Sequence, residues 1–216
     1  MTTMERVILL HGIWMRGITL LPLAHRLRAA GYAVETIEYA SVFAEMAPAI
    51  ARLRERMRSA SEGTVHLVGH SLGSLVALRA VGGVDGLPPG RVVCIGPPLR
   101  GSAVARSLAA MPGGRWLLGR SADVLLDGLD AWSDPRQVGV IAGSLPLGLG
   151  TALGALKPPH DGTVSVEETR LDGIADHCIV AASHTGLLFS SEAAARAVDF
   201  LREGCFTTPE RAAQAC

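Results

Sequence analysis

Val65-His66-Leu67-Val68-Gly69-His70-Ser71-Leu72-Gly73 joins a short β-branched apolar run to a nearly unbroken apolar stretch, Leu72 to Val81. The run has the composition of a buried strand and the stretch has the length of a helix. Between them Ser71 stands at the apex of a Gly-His-Ser-Leu-Gly turn. Such a turn holds its serine in a strained backbone conformation and projects the hydroxyl outward. The flanking glycines are needed because strand and helix approach too closely there for side chains. The pattern predicts a nucleophile elbow, and with it a serine hydrolase. A helix that is apolar on every side belongs in the middle of a core.

Outward from the elbow, strand and helix signals alternate. Apolar runs at Val7 to Leu10, Val65 to Val68, Val92 to Ile95, Val138 to Ala142 and Ile179 to Ala182 read as strands. Ala33 to Tyr39 alternates apolar and polar side chains, which suits a strand near a sheet edge. Helices are expected over Leu20 to Ala30, along the face formed by Met46, Ile50, Leu53 and Met57, over Leu72 to Val81, and from Ser190 or Ser191 to Gly204. Pro48 belongs in the first turn of the second of these, where its missing N–H costs little. This alternation predicts an α/β fold: a mostly parallel central sheet of about six strands with helices on both faces. One domain is expected over residues 1–204, with 205–216 a loosely held tail. The apolar segment from Pro97 to Gln137 reads as a small cap or as two crossover helices. Its length favours the crossover, without a large cap domain.

A chain of 216 residues, 49% of them hydrophobic, can bury a substantial core. The 20 basic and 20 acidic residues balance and form no long run, so nothing suggests a nucleic-acid groove. Arg52, Arg54, Arg56 and Arg58 read as a solvated helix face. The start, Met1 to Arg6, lacks the features of a secretory signal, and Gly143 to Leu156 is too short and broken to span a bilayer. A cytoplasmic protein without a transmembrane segment is therefore expected. Cys94, Cys178, Cys205 and Cys216 show no metal-type spacing, and Cys94 and Cys178 read as small core residues. No metal and no organic cofactor are implied.

A serine hydroxyl needs a base to take its proton and a carboxylate to orient that base. In an open α/β sheet these groups sit on loops beyond the carboxyl ends of strands, and after an elbow the acid precedes the histidine in the chain. Of the seven histidines, His184 fits best, because it lies in the loop between the last strand and the last helix. Asp161, in the Pro- and Gly-rich loop Pro159-His160-Asp161-Gly162-Thr163-Val164, is the best-placed acid. Asp172 and Asp176 lead into the last strand and belong at the opposite edge. Two backbone donors must face the oxyanion. One is the Leu72 N–H; the other comes from His11-Gly12-Ile13-Trp14, with Ile13 preferred. Trp14 is the second choice there and the expected substrate contact.

These pieces resemble the α/β-hydrolase superfamily, and within it lipase/esterase-like members including relatives of GPI-inositol deacylase. The resemblance rests on His11-Gly12, Gly69-His70-Ser71-Leu72-Gly73, Gly96-Pro97-Pro98-Leu99-Arg100-Gly101-Ser102, Asp161-Gly162-Thr163-Val164 and His184. It implies a Ser71–His184–Asp161 triad with an oxyanion hole at Ile13 and Leu72. The chain departs from many lipases by carrying Leu99-Arg100 where they have a histidine. The expected substrate is a small acyl ester of short to medium chain length, cleaved through an acyl-enzyme. A thioesterase or acyltransferase would use the same machinery, and a hydrolase-fold scaffold with a vestigial triad is the non-enzymatic alternative. The leucines at 145, 147, 149, 153 and 156 either line an acyl pocket or pack under a loop.

Overall fold

A computed structural model describes residues 4–59 and 63–206. The six expected strands form one sheet, parallel throughout, in the order β2-β1-β3-β4-β5-β6. The strands are β1 (Arg6–Leu10), β2 (Ala33–Ile37), β3 (Val65–His70), β4 (Val92–Ile95), β5 (Val138–Gly143) and β6 (Asp176–Val180). Parallel pairing obliges every connection to cross back over a face of the sheet. The helices doing so begin with α1 (Leu21–Ala29), α2 (Met46–Arg58) and α3 (Leu72–Val81). In β1 the pleat sends Val7 and Leu9 into one apolar cluster and Ile8 and Leu10 into the other. The chain winds outward from β1 in both directions. The crevice beyond the carboxyl ends of β1 and β3 is thus a topological switch point, where ligands bind in open α/β sheets.

Of the residues of α3, only Arg79 is not fully buried, as expected of a helix apolar all round. Its last carbonyls have no partners within the helix. Arg54 supplies them, its guanidinium donating to Ala80 O at 2.8 Å and to Arg79 O at 3.0 Å. Arg54 therefore departs from the solvated face expected of the arginine cluster.

The 97–137 segment holds three short helices rather than two: α4 (Ala103–Ala109), α5 (Gly114–Leu118) and α6 (Ala122–Asp127). Val104, Leu108, Leu118, Val124 and Leu125 join the core cluster that includes α3, so the segment packs as a crossover. Met111, Trp116 and Leu117 remain exposed on it. Beyond β5 come α7 (Leu149–Ala152), α8 (Gly186–Phe189) and α9 (Ser191–Glu203). The cap of α9 is Ser190, whose Oγ accepts the Ala193 N–H, and Gly204 ends it at φ +77°.

The last strand lies earlier than its apolarity suggests. It pairs as Gly139↔Asp176 through Gly143↔Val180, and Ala182 then turns its N–H back to Val180 O. Apolar character persists past the strand because Ala182 belongs to the same buried cluster as Val180, Leu187 and Leu188. As an edge strand, β6 leaves Cys178 only half-buried, unlike the fully buried Cys94. Phe206 packs on Phe200 with ring centroids 5.1 Å apart, while residues 207–216 of the expected tail lie outside the described residues. Among the described residues no helix is long and apolar enough to cross a membrane.

A Cβ on Gly73 would lie 2.4 Å from Leu10 O, backbone that cannot give way. Gly73→Ala is expected to lower the free energy of urea unfolding by about 1–3 kcal/mol, the usual cost of overpacking a core.

Candidate active site

Three loops meet at the carboxyl rim of the sheet. Ser71 leaves β3 with φ +53° and ψ −122°, a strained conformation for a residue with a side chain. The contacts that hold it there are specific. Ser71 N–H donates to Ile95 O at 2.9 Å, Ser74 N–H returns to Ser71 O, and Ser74 Oγ donates to Gly69 O. A Cβ on Gly69 would meet the backbone of Gly73 and Ser74 at 2.5 Å, so the tight turn needs the glycine there.

Asp161 and His184 form the second part. The Asp161 side chain is buried, and its Oδ1 accepts the N–H groups of Thr163 at 2.8 Å and Val164 at 2.7 Å. Its Oδ2 lies 2.7 Å from His184 Nδ1, and its carbonyl accepts the His184 N–H at 2.8 Å. A carboxylate in this setting accepts only, so Nδ1 carries the proton and Nε2 keeps its lone pair. The strand ends make the room: a Cβ on Gly96 would stand 3.1 Å from His184 Nδ1, and one on Gly143 2.7 Å from Asp161 Cβ. Glu168 ties this loop to the start of α4, accepting from Ser165 N and Oγ at 2.7 Å and from Ala103 N at 2.5 Å.

Ser71 and His184 thus border the same corner, Ile95-Gly96, from two sides. Among the described residues no hydrogen bond joins Ser71 Oγ to the imidazole. The other aspartates lie elsewhere: Asp176 opens β6, and Asp172 is an exposed residue 3.9 Å from Arg100.

The third part is the turn after β1. Met15 N–H closes it on Gly12 O at 3.4 Å, and Trp14 occupies its third position with φ +59°, where glycine is usual. The Trp14 indole N–H donates to Leu117 O at 3.0 Å. The buried His11 ring stacks on Tyr39 at 4.4 Å, and the Tyr39 hydroxyl donates to His11 O. Burial holds the Tyr39 phenol well above its ordinary pKa, so it stays a donor. Neither Ile13 N–H nor Leu72 N–H has a partner among the described residues. Beside the turn opens a cavity of about 550 Å³, walled by residues 14–16, 38–43, Trp116 and Leu117. The 145–149 leucines are instead exposed, while Leu153 and Leu156 pack against the core. Among the described residues no cluster of His, Cys, Asp and Glu could hold a metal ion.

One residue the motif reading passed over is His70. Its Nε2–H donates to His184 O at 3.0 Å, and the two rings lie 4.7 Å apart. Burial first, and the neighbouring His184 second, push its pKa down to about 3. The signal was its place next to Ser71, but only the fold shows which backbone it reaches.

No protein-family model and no curated protein sequence matches the chain. Several solved structures share its fold. The mature lipase BlEst2 of Bacillus licheniformis superposes with a TM-score of 0.71 at 18% identity, covering 87% of this chain and 88% of that one. An esterase of Pyrococcus furiosus gives 0.64 at 18% identity over 93% and 82%. The type II thioesterase BorB of the borrelidin biosynthetic cluster gives 0.58 at 17% identity over 96% and 94%. The chain has the α/β-hydrolase fold.

The histidine between Gly69 and Ser71 carries a pH signature. It is neutral in the folded protein down to about 3, whereas an unfolded histidine titrates near ~6.5. Between those values the unfolded chain binds a proton that the folded one refuses. Stability is unaffected by this group above about pH 6.5 and falls below it by up to about 1.4 kcal/mol per pH unit, levelling off below about 3. Urea unfolding from pH 7 to 4 should show this slope, and His70→Gln should flatten it by up to about one proton.

Proposed function

We propose that the protein is a serine hydrolase of carboxylic esters in which Ser71 is the nucleophile, His184 the general base and Asp161 the orienting acid. The observation that carries this reading is the buried Asp161–His184 pair, with Nε2 left as a lone pair, on the same rim as a serine held at φ +53°. In the reaction His184 Nε2 takes the Ser71 proton as Oγ attacks the acyl carbon. The carbonyl electrons move onto oxygen, and the unpartnered N–H groups of Ile13 and Leu72 receive that charge. Asp161 stabilises the imidazolium. His184 then gives its proton to the departing alcohol, leaving acylated Ser71. Water attacks the acyl group in the second half, His184 again removing a proton, and the acid leaves with Ser71 restored.

The substrate in this proposal is an acyl ester that contacts Trp14, and the cycle draws on protein groups and water. A thioester would pass through the same acyl-enzyme with a thiol as leaving group. The likeness to a thioesterase over 96% of this chain keeps that second reading beside the first.

A fluorophosphonate probe should label the wild type on Ser71, with mass spectrometry locating the adduct, and Ser71→Ala should stay unlabelled. His184→Ala should abolish ester turnover, and Asp161→Asn should lower kcat by about 10⁴, the loss expected when the tautomer is no longer fixed. A folded wild type that resists the probe, or an adduct elsewhere, rules the proposal out.

A further inference from the structure

The cavity beside the turn after β1 lies outside the chemistry just described. Its walls are mostly apolar: Met15, Ala40, Val42, Phe43, Trp116 and Leu117. Arg16 and Ser41 also line it, and several of its other polar groups are held by the chain itself. Trp14 Nε1–H is held by Leu117 O, the Tyr39 hydroxyl by His11 O, and Glu38 Oε1 by the Gly17 N–H at 2.6 Å. Trp14, Phe43 and Trp116 are 55%, 84% and 78% exposed, three large aromatic side chains around one hollow. Apolar surface gathered around a hollow of this volume is the usual form of a small-molecule site.

The hollow adjoins the turn that borders the reactive serine. Met15 Sδ and Ser71 Cβ each lie 3.2 Å from the point where a Cβ on Gly12 would stand. The turn that puts Trp14 and Met15 on the cavity wall is thus packed directly against the serine at Gly12. Trp14 is also fixed from both ends, by its left-handed backbone and by the bond to Leu117 O. The near wall of the hollow is therefore part of the same turn that presents the Ile13 N–H.

We infer that this cavity, between the 12–15 turn and the Trp116-Leu117 end of α5, binds the apolar arm of the ester, and that it selects for long or aromatic arms over acetyl-sized ones. The inference rests on the ester-hydrolase reading of Ser71. It moves the specificity pocket from the leucine loop after β5 to the opposite side of the serine. The arm can come from the acyl or the alcohol half, since both hang on the same carbonyl.

Ala40 is exposed and lines the cavity, so Ala40→Trp fills it without touching the core. kcat/KM would be measured for p-nitrophenyl acetate and decanoate, which vary the acyl half, and for methyl and decyl acetate, which vary the alcohol. In one of the two series the variant should lose the long-arm preference by about tenfold or more, the scale on which apolar pockets discriminate, while the short ester keeps its rate. Trp116→Ala should weaken the same preference. Unchanged long-to-short ratios in both series overturn the inference. A wild type without Ser71-dependent turnover defeats the parent reading instead. The cavity is then decided by calorimetric titration of decanoate and decanol into the Ser71→Ala protein: binding about tenfold weaker with Ala40→Trp added supports it, and binding that is equal or absent overturns it.

Discussion

At Ser71 the chain leaves β3 and enters α3 with no intervening residue, and the backbone there takes φ +53° and ψ −122°. A residue with a side chain keeps such a conformation only where its surroundings leave no alternative. Those surroundings are the whole middle of the molecule. β3 is paired on both sides, by β1 and β4, and α3 is buried along its length against both. The glycines at 69 and 73 let the helix sit close enough that backbone meets backbone. A looser sheet would let the turn relax, and the hydroxyl would lose its fixed position on the rim.

The Asp161–His184 pair is held on a different principle. Burying a carboxylate costs several kcal/mol unless hydrogen bonds replace its water. Asp161 finds three donors, two of them from its own loop within three residues. The loop therefore shapes itself around its charge, and His184 is bound to it twice, once through the ring and once through the main chain. Gly96 and Gly143, at the ends of β4 and β5, supply the space. Where Ser71 depends on sheet packing, the Asp161–His184 pair depends on local hydrogen bonding over a floor without side chains.

That difference decides how much the sequence could disclose. Strands β1, β3, β4 and β5 and helix α3 announce themselves because their apolar residues recur with a period set by their own backbone. The elbow is legible because its glycines and serine are contiguous, and Asp161 and His184 because loops after strands are few. The limits of β6 are less legible, because Ala182 is buried in the core without pairing in the sheet and the apolar Ala181 is exposed. Three short helices replaced two because breaks at Gly113 and Gly119, both at positive φ, interrupt one apolar stretch. The hollow walled by Trp14, Phe43 and Trp116 joins residues a hundred positions apart, and no local pattern records such a meeting. The same holds for Arg54 and the end of α3.

His70 links the two halves. It is bonded covalently to Ser71 and by a hydrogen bond to the carbonyl of a residue 114 positions further along. Its ring lies 4.7 Å from the His184 imidazole, the group that becomes positively charged when it accepts a proton. A second positive charge at that distance would oppose the first, because buried charges are poorly screened. The burial that pushes His70 down to about 3 removes this conflict, and it also leaves Nε2–H free to serve only as a donor to the His184 main chain. Its Nδ1 stays buried without a partner, beside Gly12. The protein thus bears the cost of one unsatisfied nitrogen at the point where serine, histidine and the turn after β1 come together. A leucine would fill that space without the orphan atom, but it would leave the His184 loop without its tie to the elbow.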